Sequence, residues 1–311
     1  MSHLPLAQSS VLHRLKLFLA LSRTPHGLLD LATPGLAALL CLGGFPPVRV
    51  VFLGLLTVFA GYTAIYALND LVDYRTDLAK LSAGGLDNQG YLDGLMVRHP
   101  LAQGLLSFSE GLFWTVAWAA VALVGAYLLN PVCALIFIAG AVLEAVYCLM
   151  LQVSHLRTLV SGLVKTLGGV AAVFAVDPRP SPGFLVLLVL WIFTWEIGGQ
   201  NVPNDWHDLE EDRQGNARTI PVRFGAEGAA RIILAALGAS VLLLPLLQAA
   251  SPGKFSWQLA LLSLGAGLAL LILPAWRLYQ TQERSRATAL FNFASYYPLA
   301  ILLLTLLAFL G

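Results

Sequence analysis

The sequence predicts an all-α integral membrane protein of about nine transmembrane helices, and three observations carry that prediction. Of its 311 residues, 58% are hydrophobic and only 11% are charged, against roughly 25% charged in a soluble domain. So little charge cannot cover a water-facing surface, and the mean hydropathy is +0.77. Apolar stretches of about 20 residues, the length needed to cross the hydrocarbon core, recur along the whole chain. In lipid, backbone N–H and C=O groups must be satisfied within their own segment, which makes each stretch a helix.

The approximate spans are 18–42, 50–68, 104–129, 131–151, 157–176, 184–203, 227–249, 257–280 and 288–310. The first follows a polar, mildly basic start, Met1 to Lys16, and leads on into more apolar segments, which is not the pattern of a cleavable signal peptide. Gly43-Gly44-Phe45-Pro46-Pro47 turns the chain into the second span, and Asn130-Pro131 separates the third from the fourth. Asp177-Pro178-Arg179-Pro180 and Ser251-Pro252-Gly253 read as further tight turns. Residues 69–103 and 204–226 differ in being long, polar and charged. They follow the second and sixth spans, so both fall on one face. With nine spans, that face and its helix ends carry 15 of the 18 Lys and Arg residues, leaving Arg49, Arg179 and Lys254 on the other. Basic residues mark the cytoplasmic side, so the N-terminus and both long loops are expected in the cytoplasm and the C-terminus outside. A net charge of +1 gives no reason to expect a nucleic-acid partner. Cys41, Cys133 and Cys148 lie in apolar runs and suggest no disulfide framework. The whole chain, 1–311, reads as one membrane-embedded domain.

The chemistry is carried by a repeat. The first long loop begins Asn69-Asp70-Leu71-Val72-Asp73-Tyr74-Arg75-Thr76-Asp77, and the second begins Asn204-Asp205-Trp206-His207-Asp208-Leu209-Glu210-Glu211-Asp212. Both fit N-D-x-x-D-x-x-x-D, and each starts where an apolar helix ends. On a helix, Asp70, Asp73 and Asp77 share one face, as do Asp205, Asp208 and Asp212. Like charges so placed repel. One such cluster is ordinarily a solvated helix end. Two copies of identical spacing at equivalent membrane depth, using six of only 17 acidic residues, point instead to Mg²⁺, which takes carboxylate and phosphate oxygens.

The paired motifs resemble the UbiA superfamily of intramembrane prenyltransferases, a resemblance that covers essentially the whole chain. Arg98-His99-Pro100-Leu101-Ala102-Gln103-Gly104 looks like the family's R-P-L-x-x-G segment with His inserted. Arg218-Thr219-Ile220-Pro221-Val222-Arg223-Phe224-Gly225 looks like its K-T-x-x-x-x-x-G segment, and Arg23-Thr24-Pro25 resembles its Arg-x-Pro entry to the first helix. One departure stands out. The family often has Tyr followed closely by Lys at the end of the fourth helix, whereas Tyr147 is followed by no cation until Arg157.

The resemblance implies helices around a central cavity, capped by the cytoplasmic loops after the second and sixth spans, in a multi-pass protein of the bacterial cell membrane. It implies Mg²⁺-dependent transfer of a prenyl group from a prenyl diphosphate to an unidentified acceptor, aromatic or another lipid precursor, with release of diphosphate. Mg²⁺ held by the six aspartates would make the diphosphate a better leaving group. Asn69 and Asn204 would ligate or orient. Arg75, Arg98, Arg218 and Lys165 are candidate phosphate contacts. Tyr62, Tyr66, Tyr147 and Trp195 are candidate cation-stabilising faces, or ordinary packing residues. Polar residues inside spans are costly and often functional. Glu196, Gln200 and Asn204 follow i, i+4, i+8 spacing and are expected to line the acceptor side. Glu144 either joins them or pairs with a buried cation. His26, Asp30 and His207 read as local hydrogen-bonding residues, and the glycine-containing stretch Leu81–Leu95 as a lid. Two rivals stand beside this reading. A terpene cyclase of the same fold would form product from the prenyl diphosphate alone. A transporter or lipid carrier would release no pyrophosphate.

Overall fold

The computed structural model describes residues 11–82, 92, 94, 96–253 and 255–310. Among them, nine helices are long and apolar enough to cross a membrane, the number expected. Most of the Leu81–Leu95 stretch lies outside the described residues.

Helix α1 (Val11–Leu21) is separate from the first span. The chain breaks at Arg23 (φ 44°), and α2 (Thr24–Asp30), with Pro25 in its first turn, and α3 (Ala32–Leu42) together make that span. Reading the span from residue 18 missed this break, because α1 is apolar enough to continue the pattern. Its Leu17 and Leu21 are buried with Leu71 and Leu101. The second span, α4 (Val48–Val72), stops at Asp73, and α5 (Tyr74–Ser82) begins the first loop. A capping box between Ser107 and Glu110 starts α6 (Phe108–Leu129), and the Asn130 side chain caps α7 (Pro131–Leu149). After α8 (Arg157–Val176), the sixth span is α9 (Pro182–Trp195), a π-helical turn (Glu196–Asn201) and α10 (Val202–His207). The second loop holds α11 (Leu209–Gln214). Then come α12 (Ile220–Ala249), α13 (Trp257–Gly267), which runs through a second π turn into α14 (Leu273–Thr281), and α15 (Arg284–Leu310).

The two loop segments seen in the sequence end alike. Gly104 and Gly225 both take φ +69°, a region that side chains disfavour. Gly104 turns the chain from the first loop toward α6, and Gly225 kinks α12 one turn after its start.

The bundle is apolar inside and out. Leu36, Trp191, Ile192, Ile233, Leu237 and Tyr297 are fully buried in one core cluster, while Phe52, Phe113, Leu135 and Leu242 are largely exposed. Such an outer surface would aggregate in water but suits lipid. Small residues bring the helices together, as is common in membranes. A Cβ on Gly198 would lie 2.8 Å from Leu237 Cγ and 3.0 Å from the Ile233 carbonyl oxygen. Gly198→Ala should therefore push the π turn off α12 and cost about 1–3 kcal/mol. Thermal unfolding in detergent checks this, and an unchanged midpoint would contradict the close packing.

Candidate active site

The two acidic motifs have the same backbone design. The Asp73 N–H donates to the Asn69 carbonyl (2.9 Å) and the Asp77 N–H to the Asp73 carbonyl (2.9 Å). The Asp208 N–H donates to the Asn204 carbonyl (3.1 Å) and the Asp212 N–H to the Asp208 carbonyl (2.8 Å). In both copies the middle aspartate stands at the break between a membrane helix and a short loop helix. The helical bonds run through the break, so all six carboxylates still turn to one side. They line one vestibule of about 130 Å³. Asp70, Asp77, Asp205, Asp208 and Asp212 are buried, and Asp73 is half-buried.

Cations from several elements meet these acids. Arg98 Nη2 donates to Asp208 Oδ2 at 2.8 Å, Lys80 Nζ to Asp212 Oδ1 at 3.2 Å, and Arg157 Nη1 to Asp205 Oδ1 at 3.0 Å. His99, the inserted residue, takes φ 49°. Its Nδ1 lies 2.8 Å from Asp77 Oδ2 and 3.2 Å from Asp70 Oδ1. Burial alone would lower the His99 pKa, but the two carboxylates outweigh it and push it up to about 9. Burial, reinforced by Asp77, pushes Asp73 up to about 6. For Asp208, burial acts upward but Arg98 and Lys80 hold it below the usual range.

Three expected phosphate contacts, Arg75, Arg218 and Lys165, are placed elsewhere. Arg75 is exposed on α5 and does not line the vestibule. Arg218 is exposed and donates Nη1 to the Val153 carbonyl (3.1 Å), while its backbone N–H donates to the Leu151 carbonyl (2.7 Å). It ties the second loop to the end of α7. Arg157, Lys80 and His99 were not foreseen as site residues. Arg157 fills the place of the missing cation after Tyr147, with its guanidinium 4.0 Å over the Tyr147 ring. Ten residues separate the pair, but the turn after α7 folds them together.

The donor set can take a divalent ion. Asp205 Oδ2 and Asp208 Oδ1 are buried with no hydrogen-bond partner among the described residues. Asp70 and Asp77 each offer an oxygen within 4.8 Å of the other, with His99 between them as their counter-charge. Open carboxylate oxygens of this kind suit a hard cation.

Below the vestibule lies an apolar cavity of about 550 Å³, reaching from Asn69 and Asn204 down to Phe45, Pro46 and Val176 near the opposite face. Arg23, Asn69, Tyr147, Asn204 and Phe291 line both spaces and form the neck between them. Asn69 Nδ2 donates to Glu144 Oε1 at 2.8 Å, and Asn201 Nδ2 donates to the Tyr147 hydroxyl at 3.0 Å. Glu144, Glu196, Gln200 and Lys165 all line the cavity. The π turn changes how they get there. It adds a residue to the turn, so Asn201 joins Glu196, Gln200 and Asn204 on the cavity wall. Gln200 also donates to the Phe291 carbonyl and to Ser295 at 3.3 Å, which anchors α15. Lys165 is not a vestibule residue: it donates to Asp30 Oδ2 at 2.7 Å, inside the cavity. Trp195 Nε1 donates to the Ala294 carbonyl at 3.0 Å, and His207 Nδ1 lies 2.7 Å from Thr288 Oγ1, so both brace α15.

The fold and this paired architecture define a class: a helical membrane protein whose apolar internal cavity opens, through a narrow neck, into an acidic vestibule. The chain belongs to the UbiA prenyltransferase family, whose model matches residues 31–297. It is similar to the digeranylgeranylglyceryl phosphate synthase of Thermococcus kodakarensis, 25% identical over 273 residues, 88% of this chain and 90% of that protein. In structure it resembles a UbiA homologue from Aeropyrum pernix in its apo form (TM-score 0.71, 21% identity, 91% of this chain and 97% of that one). It also resembles a UbiA homologue from Archaeoglobus fulgidus bound to GPP and Mg²⁺ (TM-score 0.68, 17% identity, 93% and 99%).

Proposed function

We propose that the protein transfers a prenyl group from a prenyl diphosphate, bound with Mg²⁺, to a lipid acceptor within the membrane. The observation that supports this most is the neck. A vestibule lined by six aspartates and an apolar cavity meet at a constriction, so a molecule with a metal-bound diphosphate head and a hydrocarbon tail fits across it, with the reacting carbon at the neck.

Asp70, Asp73, Asp77, Asp205, Asp208 and Asp212 would hold the metal, which when bound neutralises the diphosphate and improves it as a leaving group. Arg98, Lys80 and Arg157 already balance the acidic walls and are placed to swing from carboxylate to phosphate oxygens. Asn69 and Asn204 orient the head at the neck, Asn69 being itself held by Glu144. Tyr147, one face of which Arg157 covers, and Phe291 line the neck, where their rings would stabilise developing allylic positive charge by cation–π attraction. Arg75 and Arg218 stay outside this machinery. The cavity below excludes water and accepts the tail. Along α4, Asn69 and Val51 both line it, and at 1.5 Å per residue about 27 Å of depth separates them. That depth supports a long tail rather than a single isoprene unit. The similarity to the Thermococcus digeranylgeranylglyceryl phosphate synthase supports a glyceryl phosphate lipid as acceptor. The distribution of basic residues supports cytoplasmic placement of the vestibule.

Purified protein given geranylgeranyl diphosphate and Mg²⁺ should release pyrophosphate once an acceptor is supplied, and chelation should stop it. No pyrophosphate with any acceptor would overturn the proposal. Release without acceptor, accompanied by a cyclic hydrocarbon, would replace transfer with cyclisation.

A further inference from the structure

The cavity wall below the neck carries a second polar cluster that the diphosphate apparatus does not use. Lys165 Nζ donates to Asp30 Oδ2 at 2.7 Å, and the Tyr66 hydroxyl donates to the same oxygen. Glu196 stands beside them. Its Oε1 accepts from Ser161 Oγ at 2.8 Å. Its Oε2 lies 4.0 Å from Lys165 Nζ and has no hydrogen-bond partner among the described residues, although Glu196 is only 8% exposed. The Tyr62 hydroxyl is likewise buried and without a partner, and its ring centroid is 5.7 Å from Lys165 Nζ. Glu196 and Tyr62 both line the cavity.

One ammonium therefore serves two carboxylates and is committed to the first. What remains is an idle carboxylate oxygen and an idle O–H donor around the same cation. Buried polar groups are ordinarily hydrogen-bonded, and a lone pair of this kind in a membrane interior marks function more often than packing. The ligand group that satisfies both is a hydroxyl, which donates to Glu196 Oε2 while accepting from Tyr62. A phosphate or carboxylate there would meet two acidic side chains and be repelled. The π turn is what makes the arrangement possible. π turns inside α-helices occur frequently at functional sites, and this one begins at Glu196 itself.

We infer that this cluster binds the hydroxyl of a hydroxyl-bearing lipid acceptor and that Glu196 is the catalytic proton acceptor for it. The inference rests on the prenyl-transfer reading above. In the step, the hydroxyl oxygen forms an ether bond to the allylic carbon. The bond from that carbon to the diphosphate oxygen breaks, and its electron pair leaves with the diphosphate. The hydroxyl proton passes to Glu196 Oε2. Ser161 fixes the carboxylate in place, and Lys165 with Asp30 holds the local charge.

The test supplies purified enzyme in lipid with Mg²⁺, geranylgeranyl diphosphate and either geranylgeranylglyceryl phosphate, which offers a hydroxyl, or 4-hydroxybenzoate, which also offers a ring carbon. An ether product is expected. Glu196→Gln should lower kcat for ether formation by about 10²–10⁴-fold, the usual contribution of a positioned base, while KM for geranylgeranyl diphosphate stays within about threefold. Glu196→Asp should recover part of the loss. Tyr62→Phe should raise KM for the acceptor far more than it lowers kcat. Ether formation by Glu196→Gln within about threefold of the unaltered enzyme overturns the inference, as does a product prenylated only at ring carbon. If Glu196→Gln fails to fold, an unchanged acceptor KM in Tyr62→Phe overturns it. Failure of the underlying reading looks different: the unaltered enzyme then releases no pyrophosphate with either acceptor.

Discussion

Asp73→Ala and Asp208→Ala are each expected to abolish turnover while the protein remains folded. The two residues occupy equivalent breaks in the two motifs, one on each wall of the vestibule. A metal-stabilised leaving group is worth several kcal/mol of transition-state energy, and each 1.36 kcal/mol is tenfold in rate, so a loss of about 10³-fold or more is expected from either change. Folding should survive because Asp73 is half-buried at a helix end, and because Arg98, the partner that Asp208→Ala leaves behind, keeps a second carboxylate, Glu211, at 3.9 Å. Pyrophosphate release reports the first outcome, and the thermal midpoint in detergent reports the second. Full turnover in both variants would remove the metal assignment.

That prediction could be written from the sequence alone, and the reason is physical. Membrane spans announce themselves by length, and a chain with so few acids cannot place two identical acidic triplets by accident. The nine spans, the equivalence of the two loops and the meeting of their carboxylates in one vestibule were all legible. The segment glycines were visible too, although their shared conformation needed backbone angles: Gly104 and Gly225 both take φ +69°.

Other features were hidden because they depend on contacts between distant segments. His99 looked like an insertion that blurs a motif. In the structure it lies between Asp70 and Asp77, and only the fold of the first loop onto α4 and α5 reveals that. Lys165 was read as a candidate phosphate contact because a Lys point charge suits phosphate oxygens. Its partner, Asp30, is 135 residues away and was read as a local hydrogen-bonding residue. Periodicity predicted that Glu196, Gln200 and Asn204 share a face, and they do. It could not predict Asn201 beside them, since a π turn leaves no mark on an apolar helix beyond the paired glycines Gly198 and Gly199. Arg75 and Arg218 lie outside the vestibule lining for a related reason. Proximity to a motif in sequence does not say which way a side chain on a short loop helix, or in the stretch between two helices, faces.

The second large effect concerns Arg157, the cation that sequence spacing seemed to deny. It is 4% exposed, bonds Asp205 at 3.0 Å and covers the Tyr147 ring at 4.0 Å. It thus connects the second acidic motif to the neck. Arg157→Met keeps much of the side-chain volume but leaves Asp205 buried without its counter-charge. Removing one partner of a buried pair costs about 3–5 kcal/mol, so the thermal midpoint should fall sharply. Adding Asp205→Asn removes the stranded charge and should restore most of that stability, because replacing both members of a buried pair is often nearly neutral. Activity should not return with it, since the double variant lacks both a metal-binding carboxylate and the guanidinium at the neck. Stability that recovers without turnover separates the two roles of this arginine. A single variant as stable and as active as the unaltered protein would show that Arg157 is neither a structural nor a functional substitute for the family's missing cation.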